Sequence, residues 1–148
     1  MKQKSFDDMR CSVARTLEHV GAWWTLLIVR DCMLGMRRFK EFESSLGIAK
    51  TTLSRRLNEL VDTGILRKVP SSEGYKYEEY ELTKKGTELA PIVIALGQWG
   101  DKWAAHENGP SIRIHDSKTG KDISRLWPTR SDGQEITIEE LIISQAAG

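Results

Sequence analysis

One stretch of the sequence decides the fold: Leu46-Gly47-Ile48-Ala49-Lys50-Thr51-Thr52-Leu53-Ser54-Arg55-Arg56-Leu57-Asn58-Glu59-Leu60, which is closed by Gly64. At about 100° per residue, Leu53, Leu57 and Leu60 fall on one side of a helix. The other side carries hydrogen-bonding and cationic side chains, namely Thr51, Ser54, Arg55 and Asn58. The pattern therefore predicts an amphipathic helix over residues 50–63, with one apolar and one polar face.

A shorter helix is predicted directly before this one. Residues 39–46 have apolar side chains at positions i, i+3 and i+7, and the segment ends at Gly47. Two short helices that meet at a tight turn form a helix-turn-helix, whose second helix enters the major groove of DNA. The sequence predicts that motif, with residues 50–63 as the recognition helix.

A β-hairpin is predicted after Gly64. Residues 65–69 indicate a strand, residues 70–74 a turn, and residues 76–83 a return strand with Tyr80 and Leu82 on one face. A helical pair followed by a basic hairpin is a winged helix, which favours nucleic-acid binding. The alternative is a winged helix that serves only as a protein-interaction module without specific DNA binding, because a fold does not fix a function.

The predicted DNA contacts fall into two groups. Contacts to base edges are expected from the polar face of the recognition helix, namely Thr51, Ser54, Arg55 and Asn58. Contacts to phosphates are expected from nearby cations, namely Lys50, Arg56, Arg37, Arg38, Lys68 and Lys76. The alternative is an ordinary solvated helix face, which is the role of most charged stripes.

Charge is unevenly distributed along the 148 residues, although the net charge is only +1. Residues 37–68 hold eight cationic and four anionic side chains, whereas residues 131–148 hold four anionic and no cationic ones. The positive charge therefore lies on the predicted helix-turn-helix and wing, where phosphate binding needs it.

No run approaches the roughly 18 apolar residues of a membrane span. The N-terminus has no apolar signal core, so a cytoplasmic protein without membrane contact is expected.

Two further helices are predicted to form a homodimer. The first covers residues 11–20 and precedes a buried central helix over residues 23–34. The second lies within the apolar stretch 89–103, with Pro91 either at a kink or in the first turn. A partner chain is expected to cover their apolar side chains, namely Val13, Leu17, Leu89, Val93, Leu96, Trp99 and Trp103. The alternative is that the C-terminal residues pack on this surface instead.

The sequence changes character after residue 105. Turns at residues 117–121 and 131–133 separate short stretches, which predicts two hairpins. Thr137 and Glu140 form a capping box for a short last helix over residues 138–146. The expected fold is α+β and mainly α, with a winged helix-turn-helix and long dimerisation helices over residues 1–105. Residues 106–148 are expected to form a small β-rich lobe.

Several of these segments together resemble the HxlR family of bacterial transcription regulators, relatives of the MarR group. The segments are Cys11-Ser12-Val13 with Thr16-Leu17, Gly21 with Trp24-Thr25-Leu26-Leu27-Ile28, Gly35 with Arg37-Arg38-Phe39, Leu53-Ser54-Arg55-Arg56-Leu57, and Glu79-Tyr80 with Leu82-Thr83 and Gly86. The resemblance covers residues 10–103. It implies a homodimeric winged helix that binds a palindromic operator in double-stranded DNA, with the first and last helices of each subunit in the dimer interface.

The chain departs from the family pattern at several positions. Trp23 replaces a usual Lys, Ala49 replaces a Ser that could cap the recognition helix, and residues 71–74 replace a proline-rich wing. Some family members carry a C-terminal extension that resembles a zinc ribbon, with Cys pairs at two turns. In this chain the two turns hold Ser117, Thr119, Ser131 and Asp132, so a metal-free lobe is expected.

No catalytic or cofactor chemistry is indicated. The sequence lacks a glycine-rich phosphate loop, a nucleophile elbow and paired carboxylates on one helical face. His19, His106 and His115 lie far apart and show no ligand spacing. Cys32 lies in the apolar helix and is expected to be a core residue. The sequence therefore predicts no catalytic residue, no cofactor and no metal ligand.

Two candidate sites could receive an effector. Cys11 starts a helix beside Arg10 and Arg15, which favours the thiolate, whereas Asp7 and Asp8 oppose it. The family resemblance implies oxidant sensing at this Cys, and an unreactive helix-start residue is the alternative. A small-molecule inducer could bind among four tryptophans, although core packing is the commoner role for such residues. These are Trp23, Trp24, Trp99 and Trp103.

Overall fold

The structure is a computed structural model that describes residues 5–71, 73–74 and 76–144. Its elements are α1 (Ser12–Val20), α2 (Trp23–Met33), α3 (Phe39–Leu46), α4 (Lys50–Asp62), β1 (Leu66–Pro70), β2 (Glu78–Leu82), α5 (Lys84–Thr87), α6 (Ala90–Trp103) and a 3-10 helix (Ile138–Glu140). Two compact units result, one ending at Val93 and the other beginning at Ile94. The mainly helical winged helix-turn-helix is confirmed, and the division into domains 1–105 and 106–148 stays a prediction.

The core of the first unit is built on the leucine face of α4. Leu53 and Leu57 are 0% exposed and Leu60 is 2% exposed. They belong to one cluster with buried apolar side chains of neighbouring elements, including Ile28, Val29, Phe42, Ile48, Ile65 and Leu66. Burying such a side chain contributes about 1.5–3 kcal/mol, so the leucine spacing determines which face of α4 stays outside.

Gly47 makes the turn of the helix-turn-helix. Its φ of 59° lies in the left-handed region, which side chains with a Cβ atom rarely adopt. Its N–H donates to the Glu43 carbonyl at 3.0 Å, which closes α3. The next helix begins after Ala49, which has an extended ψ of 137° and makes no side-chain cap. The sequence thus predicted both the turn and the uncapped start of α4.

The wing is an antiparallel pair in which Leu66 pairs with Leu82 at the base and Pro70 with Glu78 at the far end. Both strands begin and end within two residues of the predicted bounds. Thr83 fastens the base, because its Oγ1 donates to the Gly64 carbonyl at 2.5 Å and accepts from the Gly86 N–H at 3.1 Å. The base of the wing is therefore tied to the end of α4.

Pro91 lies in the first turn of α6, where a missing N–H is tolerated, and the kink is thereby excluded. At the start of this segment, Leu89 and Val93 pack against the core of the first unit. Within the described ranges, no helix has the length and apolar character needed to cross a membrane.

The lobe of the second unit is held by turns. Each predicted hairpin contains one bridge, His115 with Asp122 and Thr129 with Glu135.

The predicted last helix over residues 138–146 is wrong over its described part, because only a 3-10 turn forms before the chain extends at Leu141. Ile142 and Ile143 are 92% and 90% exposed, so burial of apolar side chains does not stabilise a helix there. They are also β-branched, which favours extended backbone, and residues 145–146 lie outside the described part.

Gly86→Ala is expected to destabilise the first unit. The added Cβ would lie 2.2 Å from the Ile65 carbonyl oxygen and 3.0 Å from Cδ2 of Leu82. We expect the free energy of unfolding to fall by about 3 kcal/mol, as for an overpacked core. Gly97→Ala in α6 is the matched control, because nothing lies within 4 Å of its added Cβ. Urea denaturation measures both, and equal midpoints for the two variants would contradict the expectation.

Candidate nucleic-acid interface

The polar face of α4 lines an open groove on the first unit. The groove is lined by Phe39, Lys50, Thr51, Ser54, Arg55, Asn58, Glu59 and Asp62. The four side chains predicted to contact bases therefore lie together, on the face opposite the buried leucines. Such an exposed, donor-rich helix face can hydrogen-bond to base edges in a major groove.

Charge changes sign along this groove. Lys50 and Arg55 lie in the first two turns of α4, whereas Glu59 and Asp62 lie near its end. In a helix-turn-helix, the N-terminal residues of the recognition helix contact the bases. The Lys50 side chain is 76% exposed, and its Nζ lies 3.9 Å from Oε1 of Glu43. This loose contact leaves Lys50 able to pair with a phosphate.

Arg56 does not lie with the groove residues. Its side chain is 22% exposed, and its Nη1 donates to Oε2 of Glu59 at 2.7 Å. It lines a separate cavity of about 390 Å³ whose wall includes Trp23 and Trp24. Two of the tryptophans considered for an inducer site therefore share a cavity with Arg56. The other two, Trp99 and Trp103, belong to the second unit and are exposed there.

The two arginines that precede α3 bind the wing of their own chain. Arg38 reaches Glu73 through Nη2 at 2.8 Å and Glu79 through Nε at 3.2 Å. Arg37 pairs with Glu81, and its Nε lies 3.4 Å from Oε2 of Glu79 without hydrogen-bond geometry. Hydrogen bonds to Glu73 and then Glu79 raise the pKa of Arg38 above its ordinary value. Both arginines are therefore held by carboxylates of the wing.

Glu79 is the residue that sequence reasoning missed. Its side chain is only 2% exposed, and Oε1 also accepts a hydrogen bond from the Ser71 hydroxyl at 3.2 Å. A buried carboxylate requires such charged and hydrogen-bonding partners. On an alternating surface strand a glutamate is expected to face solvent. The sequence does contain a signal for this burial, since the wing is rich in glutamates and two adjacent arginines precede α3. The signal can be interpreted only when the fold has placed these segments opposite each other.

The backbone of the turn before α3 is fixed as well. The Glu41 carboxylate accepts from the N–H groups of Arg37 and Arg38, both at 2.8 Å, and these two bonds lower the pKa of Glu41. The Arg37 carbonyl accepts from the Tyr80 N–H at 2.8 Å. The Tyr80 ring also meets the Phe42 ring edge to face, with 6.3 Å between centroids. The arginines therefore project from a backbone that is hydrogen-bonded both to Glu41 and to the wing.

Both wing lysines are exposed. Lys68 lies on β1, with its Nζ 3.4 Å from Oε2 of Glu78 on β2. Lys76 is exposed near the tip of the hairpin. An exposed ion pair contributes only about 0–1 kcal/mol, so a phosphate can displace Glu78 from Lys68.

The residues predicted for the dimer interface differ in exposure. Val13 and Leu17 on α1 are 69% and 50% exposed. On α6 the exposed members are Leu96, Trp99 and Trp103, at 54%, 63% and 67%. Leu89 and Val93 are instead partly buried against the core of their own chain. Five of the seven side chains are thus available to a partner.

The two cysteines lie in contrasting environments. Cys11 is exposed at the N-cap of α1. Burial, and then the nearby Asp31 carboxylate, raise the pKa of the Cys32 thiol to about 12. Cys32 is therefore protonated at neutral pH and unreactive, in keeping with a role in packing. Among the described residues, no group of three or more His, Cys, Asp or Glu side chains could hold a metal ion.

Known proteins with similar sequences are regulators. Residues 19–108 match the family model described as HxlR-like helix-turn-helix. An uncharacterised HTH-type transcriptional regulator of Mycobacterium tuberculosis is 40% identical over 126 residues, which cover 85% of this chain and 80% of the relative. YvaP of Bacillus subtilis, named in the same way, is 37% identical over 54% of this chain and 75% of its own length.

Solved structures show the same similarity. PA1607, named as a candidate transcription factor, superposes with a TM-score of 0.87 at 36% identity, over 97% of this chain and 100% of its own. The redox regulator HypR in its reduced form gives a TM-score of 0.57 at 30% identity, over 62% of this chain and 92% of its own. The similarity to PA1607 includes the C-terminal lobe, whereas the similarity to HypR covers a smaller part of the chain.

Proposed function

Because the chain belongs to the HxlR-like helix-turn-helix family of transcriptional regulators, we propose that it binds a palindromic operator in double-stranded DNA as a homodimer. The groove along α4 is the observation that carries this proposal. It presents Arg55 with Thr51, Ser54 and Asn58 on one exposed helix face. Family membership implies DNA binding, and this face presents side chains of the types that hydrogen-bond to base edges.

Base reading is assigned chiefly to Arg55, because a guanidinium donates two hydrogen bonds to O6 and N7 of a guanine. Thr51, Ser54 and Asn58 are proposed to make the remaining base contacts. Lys50, Lys68 and Lys76 are proposed as phosphate contacts, and their exposure supports this role. The sequence also predicts phosphate contacts from Arg37, Arg38 and Arg56, but carboxylates of their own chain already hold these side chains, so they are left out of this proposal.

Arg55→Ala is expected to weaken binding to the preferred duplex by about 1–3 kcal/mol and to relax the preference at one base pair per half-site. The preferred duplex is selected by the wild-type protein from a random pool and measured by fluorescence anisotropy. Arg113→Ala removes the same charge from a residue of the second unit that is not predicted to contact DNA, and it serves as the matched control. An Arg55→Ala variant that keeps both wild-type affinity and base preference would refute the assignment.

Lys68→Ala in the same assay separates phosphate contacts from base contacts. It should weaken all sequences alike and reduce the slope of log affinity against log salt by about one. If the wild-type protein shows no salt-sensitive affinity for any duplex, the protein-interaction alternative replaces DNA binding.

The proposed homodimer uses the exposed faces of α1 and α6. Two-fold symmetric proteins match palindromic sites, whose half-sites lie one helical turn apart. The exposed apolar side chains Val13, Leu17, Leu96, Trp99 and Trp103 support this interface, because exposed aromatic and aliphatic clusters are characteristic of protein contacts.

Leu96→Glu is expected to dissociate the dimer, because the interface would then bury an unpaired charge. Ile142→Glu is the matched control, since Ile142 is 92% exposed and lies outside the proposed interface. Sedimentation equilibrium reports the mass, and circular dichroism verifies that both variants remain folded. A wild-type protein that is a monomer at micromolar concentration would refute the interface.

Control of DNA binding is assigned to oxidation of Cys11. Hydrogen peroxide would transfer one oxygen atom to the thiolate, with O–O cleavage and release of hydroxide, to give a sulfenic acid. A second thiol, Cys11 of the partner subunit, could then displace water to form an intersubunit disulfide. Its exposure and its place on a proposed interface helix support this assignment. The alternative effector is a small aromatic molecule bound beside Trp23 and Trp24.

Cys11→Ser is expected to abolish the response of DNA affinity to hydrogen peroxide. Cys32 provides an internal control, because a thiol whose pKa is raised to about 12 does not react at neutral pH. Mass spectrometry of the treated wild-type protein should locate the added oxygen or the disulfide on Cys11. If the serine variant responds like the wild type, the thiol is not the sensor and a bound inducer becomes the better explanation.

A further inference from the structure

The ion cluster between the turn before α3 and the wing joins two parts of the proposed DNA-binding surface. We propose that Glu79 is a positioning residue for DNA binding, which acts through Arg37 and Arg38 to lock the wing at a fixed orientation relative to α4. The two arginines then serve this lock and not the phosphate backbone. This proposal rests on the proposed DNA-binding function.

The cluster connects segments that are distant in sequence. Glu79 lies 41 residues after its partner Arg38, on the second strand of the wing. The arginines immediately precede α3, and α3 leads into α4 through Gly47. The bonds to Glu79 therefore link the hairpin directly to the helix-turn-helix.

The lock acts on the outer half of the hairpin, whereas Leu66 lies in the core and Tyr80 and Leu82 pack against it. An isolated two-stranded hairpin is marginally stable at best. At its base, Leu66 is 1% exposed and belongs to the core, and Thr83 bonds to Gly64. Glu79 pairs in register with Val69, one position from the end of the ladder. Without the Glu79 carboxylate, the base of the wing would stay attached, while its outer half would depend on weaker contacts such as the exposed ion pair of Arg38 with Glu73 and would change its angle more easily.

The charge of the cluster disfavours a phosphate at this place. Three guanidinium groups, those of Arg37, Arg38 and Arg67, face three carboxylates, those of Glu73, Glu79 and Glu81. A phosphate that approached Arg37 or Arg38 would therefore meet a cluster without net positive charge. It would also have to displace a carboxylate that is already buried with its partners. Counterion release upon DNA binding is therefore expected from other cations.

Salt dependence distinguishes a lock from a phosphate contact. The experiment uses the full-length protein with two probes, the duplex selected from a random pool and one mixed-sequence duplex. Glu79→Gln and Arg38→Ala should each weaken binding to the selected duplex about three- to tenfold, with the salt slope unchanged. The effects of the two substitutions should be less than additive in the double variant, because both remove the bond between Arg38 and Glu79.

Two further variants serve as controls. Ser71→Ala removes a hydrogen bond to Glu79 without changing any charge, so it should weaken binding in the same direction by a smaller factor. Lys76→Ala represents a phosphate contact, and it should reduce the salt slope by about one. If Arg38→Ala also lowers the slope while Glu79→Gln binds more tightly, the arginines contact phosphates and the proposal is overturned.

Hydrogen exchange tests the lock without DNA. The Tyr80 N–H donates to the Arg37 carbonyl, so in Glu79→Gln its exchange should accelerate at least about tenfold while the amides of α4 stay protected. Loss of protection in both places would mean that the whole unit is destabilised, and unchanged protection at Tyr80 would mean that no lock exists. Either result overturns the proposal. A wild-type protein that shows no salt-dependent DNA binding would instead refute the proposed function, and the exchange measurement would still decide the lock.

Discussion

Burial of the leucine face of α4 is the constraint on which the first unit depends. A helix advances by about 100° per residue, so fixing Leu53 and Leu57 inside also fixes every other side chain of the helix. The consequence is clearest at two adjacent arginines. Arg55 faces the open groove, whereas Arg56 lies mostly covered and bonds to Glu59. Burial of the leucine face thus places two neighbouring arginines in different environments.

Local patterns in the sequence predicted most of the secondary structure of the first unit. Helix periodicity, the glycine of the turn and strand alternation depend on neighbours a few residues apart, and they predicted α1 to α4 and the wing closely. Glu79 was missed because its burial depends on Arg38, which lies 41 residues earlier and meets the wing only in the folded chain. The last helix was wrongly expected from a capping box alone. Thr137 does bond to Glu140, at 3.0 Å, but a cap without a buried stripe does not sustain a helix.

The count of charges in the sequence overestimated the number of cations that are available to DNA. The excess of cations over residues 37–68 treats each one as available to DNA. Arg37, Arg38 and Arg67 are instead paired with carboxylates of the wing, all of which lie outside that range. The exposed cations that remain concentrate at the start of α4 and on the wing lysines. Salt sensitivity should therefore reflect fewer phosphate contacts than the number of cations suggests.

The lobe of the second unit illustrates how a small fold is held with very little core. Its ion pairs, such as Arg113 with Asp122 at 2.6 Å, are exposed and contribute at most about 1 kcal/mol each. Carboxylates instead shape its turns, because Asp116 accepts from the Lys118 N–H and Asp132 from the Gln134 N–H, both at 2.9 Å.

These local bonds fix each turn but do not join the turns to a helix. That connection comes from Gln98 of α6, whose side chain donates to the Ser124 carbonyl at 3.1 Å and accepts from the Leu126 N–H at 2.7 Å. The segment between the two bridges is thereby held to α6 by a pair of hydrogen bonds from one amide. The exposed ion pairs and the turns join only residues that are close in sequence. Gln98 instead connects the lobe to a helix, and it lies at least 26 residues earlier in the chain than its two partners.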